Sequence, residues 1–146
     1  MHNSERPLDE VTGAIVDSAL RIHRTLGPGL LESVYEAVLA RDLLRRGITV
    51  EKQKCVSFEF EELKFEDAFR LDLLVDNRVI VEIKSVESLH PVHSKQVLTY
   101  LRCLKLPIGL LINFGAPTLK QGLRRIVNGV PGSASPHLRI NRASDV

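Results

Sequence analysis

The stretch FRLDLLV at residues 69–75, followed after three residues by VIVEIK at residues 79–84, decides the fold. Apolar residues recur at every second position, which is typical of β-strands. A three-residue loop at 76–78 pairs Val75 with Val79 and keeps charged side chains out of the core, whereas a two-residue turn would mix them into it. We therefore predict an antiparallel hairpin with a left-handed residue at 77 or 78, more easily Asn than Arg. Its apolar face consists of Leu71, Leu73, Val75, Val79, Val81 and Ile83.

The same register predicts a cluster of charged side chains. Asp72 falls opposite Glu82, and Lys84 lies two residues further along the same face. Opposed like charges destabilise a sheet, and a divalent cation held by oxygen ligands would remove that penalty. The Lys84 ammonium would then orient or help to deprotonate the attacking water of phosphodiester hydrolysis. A salt-bridged polar patch on a solvent-facing sheet is the alternative interpretation.

Outside this hairpin, the hydrophobic period predicts the remaining elements. Two helices precede the strands and a break at Gly27-Pro28-Gly29 separates them, while the continuous apolar run at 108–114 is typical of a strand covered on both faces. The predicted elements are helices at 8–26, 31–46, 91–105 and 118–128, and strands at 56–60, 69–75, 79–84 and 108–114.

This order predicts an α/β fold with a small mixed central sheet flanked by helices. An antiparallel meander is extended by a parallel strand, which a right-handed β-α-β crossover connects. We expect a single domain at residues 1–130 and a flexible C-terminal tail at 131–146, where Pro, Gly and Ser are frequent.

Length and composition agree with one globular domain. The chain has 146 residues, of which 44% are hydrophobic and 26% charged. No apolar run reaches the roughly 20 residues that span a bilayer, and the first residues lack the apolar core of a signal peptide. Two cysteines, Cys55 and Cys103, are too few for a secreted disulfide scaffold. These features predict a cytoplasmic protein that does not associate with membranes.

Three segments together resemble a known group of enzymes. Asp72, the tripeptide Glu82-Ile83-Lys84 and the segment Gln96-Val97-Leu98-Thr99-Tyr100 resemble the motifs of the PD-(D/E)XK nuclease superfamily, whose fold is restriction-endonuclease-like. Gly29-Leu30-Leu31-Glu32-Ser33-Val34-Tyr35 resembles the motif of the GxxExxY family within it. The resemblance covers roughly residues 11–129. The proline often found before the motif aspartate is replaced by Leu71.

The resemblance implies a role for each residue of the proposed site. Asp72, Glu82 and the Ile83 carbonyl would bind Mg²⁺ or Mn²⁺, and Lys84 would be the catalytic lysine. Glu32 would bind a second cation or support the first ligands. The residues expected to support the site or contact a phosphate are Gln96 and Tyr100 on one helix face, His93 one turn earlier, and Tyr35, which is otherwise a core aromatic with its hydroxyl at the rim.

A nuclease must also bind a polyanion. Candidates for phosphate contacts are Lys95 and Arg102 on one predicted helix, and Lys120, Arg124 and Arg125 on the last one. We therefore expect a divalent-metal-dependent nuclease that hydrolyses phosphodiester bonds of nucleic acid, most simply DNA. A homodimer or a partner protein would strengthen its binding to the nucleic acid. The alternatives are a nucleic-acid-binding module without turnover and a protein-interaction subunit.

Overall fold

A five-stranded mixed sheet forms the centre of the computed structural model, which describes residues 6–129. The strands follow one another in the sheet in chain order, and the predicted mixed α/β architecture is confirmed. The tail predicted at 131–146 lies outside the described residues. The elements are α1 (Leu8–Leu26), α2 (Glu32–Arg45), β1 (Val50–Phe60), β2 (Leu63–Val75), β3 (Val79–Lys84), α3 (Pro91–Leu104), β4 (Ile108–Asn113), α4 (Leu119–Gly122) and β5 (Leu123–Val127).

The sheet has apolar side chains on both faces. α1 and α2 cover one face, where Ile15 and Leu39 pack with Val81 and other strand residues. α3 covers the other face, where Val97 packs with Ile80. β3 and β4 pair in parallel and are joined through α3, as the apolar run predicted. Glu82 therefore follows Ile80 on the face covered by α3.

The β2–β3 hairpin adopts the predicted register, in which Val75 pairs with Val79. Asn77 has a positive φ angle of 58°, as expected, and Asp76 before it is also left-handed, with a φ of 55°. Leu71 does not share the face of the other hairpin residues but packs on the α3 side. The alternation along β2 breaks next to Asp72, where Gln53 on the neighbouring strand has a φ of 49°.

The predicted helix at 118–128 is wrong. Only α4 is helical there, and the chain continues as β5, antiparallel to β4. Leu123 packs toward the α1–α2 face of the sheet and Ile126 toward the α3 face. Because apolar residues lie on both faces of this strand, its sequence lacks the alternation of apolar and polar residues that distinguishes a strand from a helix. A Cβ at Gly122 would lie 2.2 Å from the Asn113 carbonyl oxygen, so glycine permits the close approach at which the chain turns.

β1 and β2 form a long hairpin arm, which we define as residues 56–69. Two left-handed residues at 61 and 62 form its turn. Phe58 pairs with Phe65 and Phe60 with Leu63, so all four apolar side chains lie on one face of the arm. Within residues 6–129, no helix is both long enough and apolar enough to cross a membrane.

Candidate active site

Two carboxylates meet where β2 and β3 separate. The Asp72 backbone N–H donates a hydrogen bond to Glu82 Oε2 at 3.0 Å, and the Ile83 N–H donates one to Asp72 Oδ2 at 2.8 Å. Each side chain therefore accepts a hydrogen bond from the opposite strand. The Ile83 side chain is buried in the α1–α2 cluster, so this residue can reach the site only through its backbone. The structure thus brings Asp72 and Glu82 together.

Glu82 lies in a place that disfavours its charge. The residue is 6% exposed. Burial, followed by the negative charge of Asp72, raises the pKa of Glu82 to about 8. The hydrogen bond from the Asp72 backbone and the Lys84 ammonium oppose this rise.

An open cleft of about 630 Å³ reaches Asp72 of this carboxylate pair. Its lining includes Glu32 and Glu36 from α2, Asp72 from β2 and Gln53 from β1. Gln53 Nε2 donates to Glu36 Oε1 at 2.7 Å and to Asp72 Oδ1 at 3.4 Å, which links the three side chains. Burial, with a contribution from Asp72, raises the pKa of Glu36. The helix α2 and the strand β2, which are distant in sequence, therefore both contribute carboxylates to this cleft.

Sequence reasoning missed Glu36, Gln53 and Ser85 as residues of this cleft. Glu36 follows Glu32 by four positions, a spacing that places both on one helix face and was available as a signal. Gln53 carries no such signal, because its place opposite Asp72 depends on the β1–β2 register. Ser85 donates from its backbone to Glu32 Oε2 at 3.4 Å and ties the end of β3 to α2.

Tyr35 is a core residue that cannot contact a phosphate. It is fully buried and stacks on Phe114, with ring centroids 4.4 Å apart. Its hydroxyl donates to the Gly27 carbonyl oxygen at 2.5 Å and accepts from the Leu30 N–H at 3.1 Å. Both hydrogen-bonding roles of the hydroxyl are thereby used, so Tyr35 supports the site only by holding the loop before α2.

Lys84 and His93 belong to the cluster of charges around the carboxylates, and Glu32 also acts on His93. Lys84 is half-buried, and its charge acts on both Glu82 and His93. Burial, followed by the Lys84 and His90 charges, lowers the pKa of His93. His93 Nδ1 accepts a hydrogen bond from the His90 N–H at 3.2 Å at the start of α3. The neutral ring must then carry its proton on Nε2, where it can only donate.

Gln96 and Tyr100 continue this group of side chains along α3. Tyr100 stacks on Phe69, with ring centroids 4.2 Å apart. Burial raises the pKa of Tyr100, as do the charges of Glu82 and Asp72, while a hydrogen bond with the Gln96 side chain opposes the rise. Both residues therefore lie on the side of α3 that faces the carboxylates.

A family model of the PD-(D/E)XK nuclease superfamily matches residues 9–126, a range that contains every element of this site. The chain belongs to the PD-(D/E)XK nuclease superfamily. No curated protein matches the chain. Among solved structures, the crystal structure of SSO0001 resembles it with a TM-score of 0.41 and 16% identity, over 92% of this chain and 84% of that chain.

The donors around Asp72 and Glu82 suit an oxygen-coordinated divalent cation. Glu82 Oε2 accepts a backbone hydrogen bond, but Oε1 of this buried carboxylate has no hydrogen-bond partner among residues 6–129. Two adjoining carboxylates with an unpaired buried oxygen are the hard ligands that Mg²⁺ prefers. No group of three or more His, Cys, Asp or Glu in metal-binding geometry occurs in this described range. A backbone carbonyl or water would therefore have to complete the coordination.

The basic residues expected to bind the nucleic acid of a PD-(D/E)XK enzyme do not form one patch. Lys95 and Arg102 are exposed on α3. Arg124 and Arg125 are consecutive residues of a strand, so they point to opposite faces of the sheet. Arg124 donates to two carbonyl oxygens nearby, and Arg125 lies 3.7 Å from Asp9. The helical arrangement that would have placed them with Lys120 is wrong, because only Lys120 is on a helix.

Proposed function

We propose that this protein is a GxxExxY-type nuclease that hydrolyses phosphodiester bonds of DNA with the help of a divalent cation. The observation that carries the proposal is the reciprocal hydrogen bonding that holds Asp72 beside Glu82, with Lys84 on the same strand. Its membership of a nuclease superfamily supplies the reaction class.

Asp72, Glu82 and the Ile83 carbonyl would hold Mg²⁺ or Mn²⁺, and Glu32 would support them or hold a second cation. A cation in this position supplies a Lewis acid that makes water acidic and neutralises charge on the phosphate. Binding it also relieves the repulsion between the two carboxylates, which is why we expect an affinity for divalent cations in the absence of substrate.

Lys84 places an ammonium group beside the carboxylates, where it can orient the attacking water and donate a hydrogen bond to a phosphate oxygen. In hydrolysis, the water oxygen bonds to phosphorus, the bond to one ester oxygen breaks, and that oxygen leaves with a proton. His93 Nε2 and Tyr100 would bind and orient the phosphate from the α3 side. Exposed Lys95 and Arg102 would contact the DNA backbone further along the strand, and Lys120, Arg124 and Arg125 are secondary candidates for such contacts. A second copy of the chain or a partner protein would strengthen DNA binding.

Purified protein is expected to cleave DNA in Mg²⁺ or Mn²⁺ and to lose cleavage in EDTA. Asp72→Asn removes one ligand charge while keeping the size of the side chain, and should slow cleavage by about a thousandfold. Gel analysis of labelled single-stranded and duplex DNA measures both effects. Asp67→Asn on the exposed hairpin arm is the matched control and should cleave at the wild-type rate. Cleavage that persists in EDTA or in Asp72→Asn, or a metal-loaded protein inert on every DNA, would refute the proposal.

A further inference from the structure

Two exposed leucines form an apolar side of the acidic cleft. Leu30 and Leu31, which we call the leucine ledge, line the cleft together with Glu32, Glu36 and Asp72. Leu30 is 41% exposed and Leu31 is 74% exposed. A single exposed leucine needs no explanation, but two neighbours that share a cleft with these carboxylates lie where a substrate must pass.

The backbone of the leucine ledge is held in place before any substrate arrives. The Leu30 N–H donates to the Tyr35 hydroxyl, and the Leu30 carbonyl oxygen accepts a hydrogen bond from Ser85 Oγ at 2.6 Å. Tyr35 itself is fixed in the core by Phe114. Little backbone entropy is therefore lost when a ligand contacts the ledge.

The residues that line the cleft include no Lys or Arg among those the structure describes. Apart from the proposed cation and the neighbouring Lys84, a substrate in this cleft would therefore gain its local contact from something other than phosphate pairing. The ledge offers apolar surface, and the apolar surface of a nucleic acid is the face of its bases. In an intact duplex these faces are stacked, and the grooves present mainly polar edges to a protein. Leucine is among the side chains that insert between base steps, where the contact requires the bases to be at least partly unstacked.

We propose that the leucine ledge binds unstacked bases beside the bond to be cut, so that the preferred substrate is single-stranded or locally unpaired DNA. This inference rests on the proposed nuclease function for the identity of the polymer. In this arrangement the carboxylates would act on the phosphate, and the ledge would contact the base of an adjoining nucleotide.

The test compares wild-type protein with Leu31→Ser and with Leu44→Ser. Leu31 is the N-cap residue of α2, where serine is favoured, so this variant is expected to fold. Leu44 lies near the other end of α2 and is 55% exposed, which makes it a matched control. Three labelled DNAs of equal length are used: a single strand, its duplex, and the single strand with a central run of abasic sites.

The wild-type protein should cleave the single strand about tenfold faster than the duplex or the abasic strand. Leu31→Ser should lose most of this preference, and Leu44→Ser should retain it. Equal cleavage of the three DNAs by the wild-type protein, or an unchanged preference in Leu31→Ser, would overturn the inference while leaving the nuclease proposal intact.

If no DNA is cleaved, the nuclease proposal fails and fluorescence anisotropy with the same three DNAs in Mg²⁺ tests the ledge separately. Tighter wild-type binding to the single strand, which Leu31→Ser removes, would support the ledge as a binding site for bases. Equal affinities for the three DNAs, or no binding, would overturn it.

Discussion

The Glu82→Gln variant should unfold at a higher temperature than the wild-type protein at pH 8 in the absence of divalent cations. In the folded protein, burial and the charge of Asp72 raise the pKa of Glu82 from 4.5 to about 8. A pKa difference of this size corresponds to a cost of the order of 5 kcal/mol for ionising Glu82 in the folded state. Glutamine keeps the oxygen that accepts the Asp72 hydrogen bond but carries no charge, so it avoids this cost.

The effect should depend on pH with a defined sign. Below pH 4.5 Glu82 is protonated in both states, and it contributes no difference in stability. Between pH 4.5 and about 8 the unfolded chain ionises while the folded protein retains the proton, so this group lowers the free energy of unfolding as the pH rises. Above pH 8 Glu82 is ionised in both states, and its effect on the free energy of unfolding no longer changes with pH. The difference in melting temperature between Glu82→Gln and wild type should therefore grow from pH 5 to pH 8 and then level off.

Differential scanning calorimetry in EDTA measures this difference. Glu59→Gln on the exposed hairpin arm is the control, and its melting temperature should follow that of the wild-type protein at every pH. Added Mn²⁺ should stabilise the wild-type protein and leave Glu82→Gln nearly unchanged, because the variant lacks a ligand charge. A Glu82→Gln variant that melts below the wild-type protein at pH 8 in EDTA would contradict the assignment of a strained carboxylate pair.

The Lys84→Met variant should cleave DNA about a thousandfold more slowly than the wild-type protein. Methionine keeps most of the volume of the side chain but removes the ammonium, which stabilises charge that develops at the phosphate. Stabilisation by Mn²⁺ should persist, because both carboxylates remain. Single-turnover cleavage in saturating Mn²⁺ measures the rate, and calorimetry measures the retained cation binding.

The matched control for this variant is Lys64→Met, which removes the same charge from the exposed hairpin arm. Its cleavage rate should equal that of the wild-type protein. Lys84→Arg should restore the positive charge but not the full rate, since the guanidinium has a different shape and set of donors. Retention of more than a tenth of the wild-type rate in Lys84→Met would show that Lys84 has no catalytic role.

The register of the β2–β3 hairpin was predictable from sequence because burial constrains it strongly. Only one loop length kept charged residues out of the core, and the pairing of Val75 with Val79 confirms that choice. The same argument predicted Asp72 opposite Glu82, and the structure holds the two together. The local sequence pattern was therefore sufficient to predict the register and the proximity of the two carboxylates, because the two strands are adjacent in sequence.

The strand β5 was not predictable in the same way. Its apolar residues at 123, 126 and 127 fit a helical spacing, but Leu123 and Ile126 pack on opposite faces of the sheet. Contact with β4, rather than local periodicity, determines the structure there. The contribution of Gln53 to the cleft escaped prediction for a related reason, since it depends on strand pairing and on a left-handed backbone that no glycine marks.

Anomalous diffraction from Mn²⁺-soaked crystals tests most directly whether Asp72 and Glu82 form a shared cation site. The account predicts a peak between the two carboxylates and near the Ile83 carbonyl, with ligand distances of about 2.1 Å as hard oxygen donors require for a small divalent ion. Crystals of Asp72→Asn soaked in the same way should lack the peak. Soaked wild-type crystals with no density between the carboxylates, or with manganese bound only elsewhere, would contradict it.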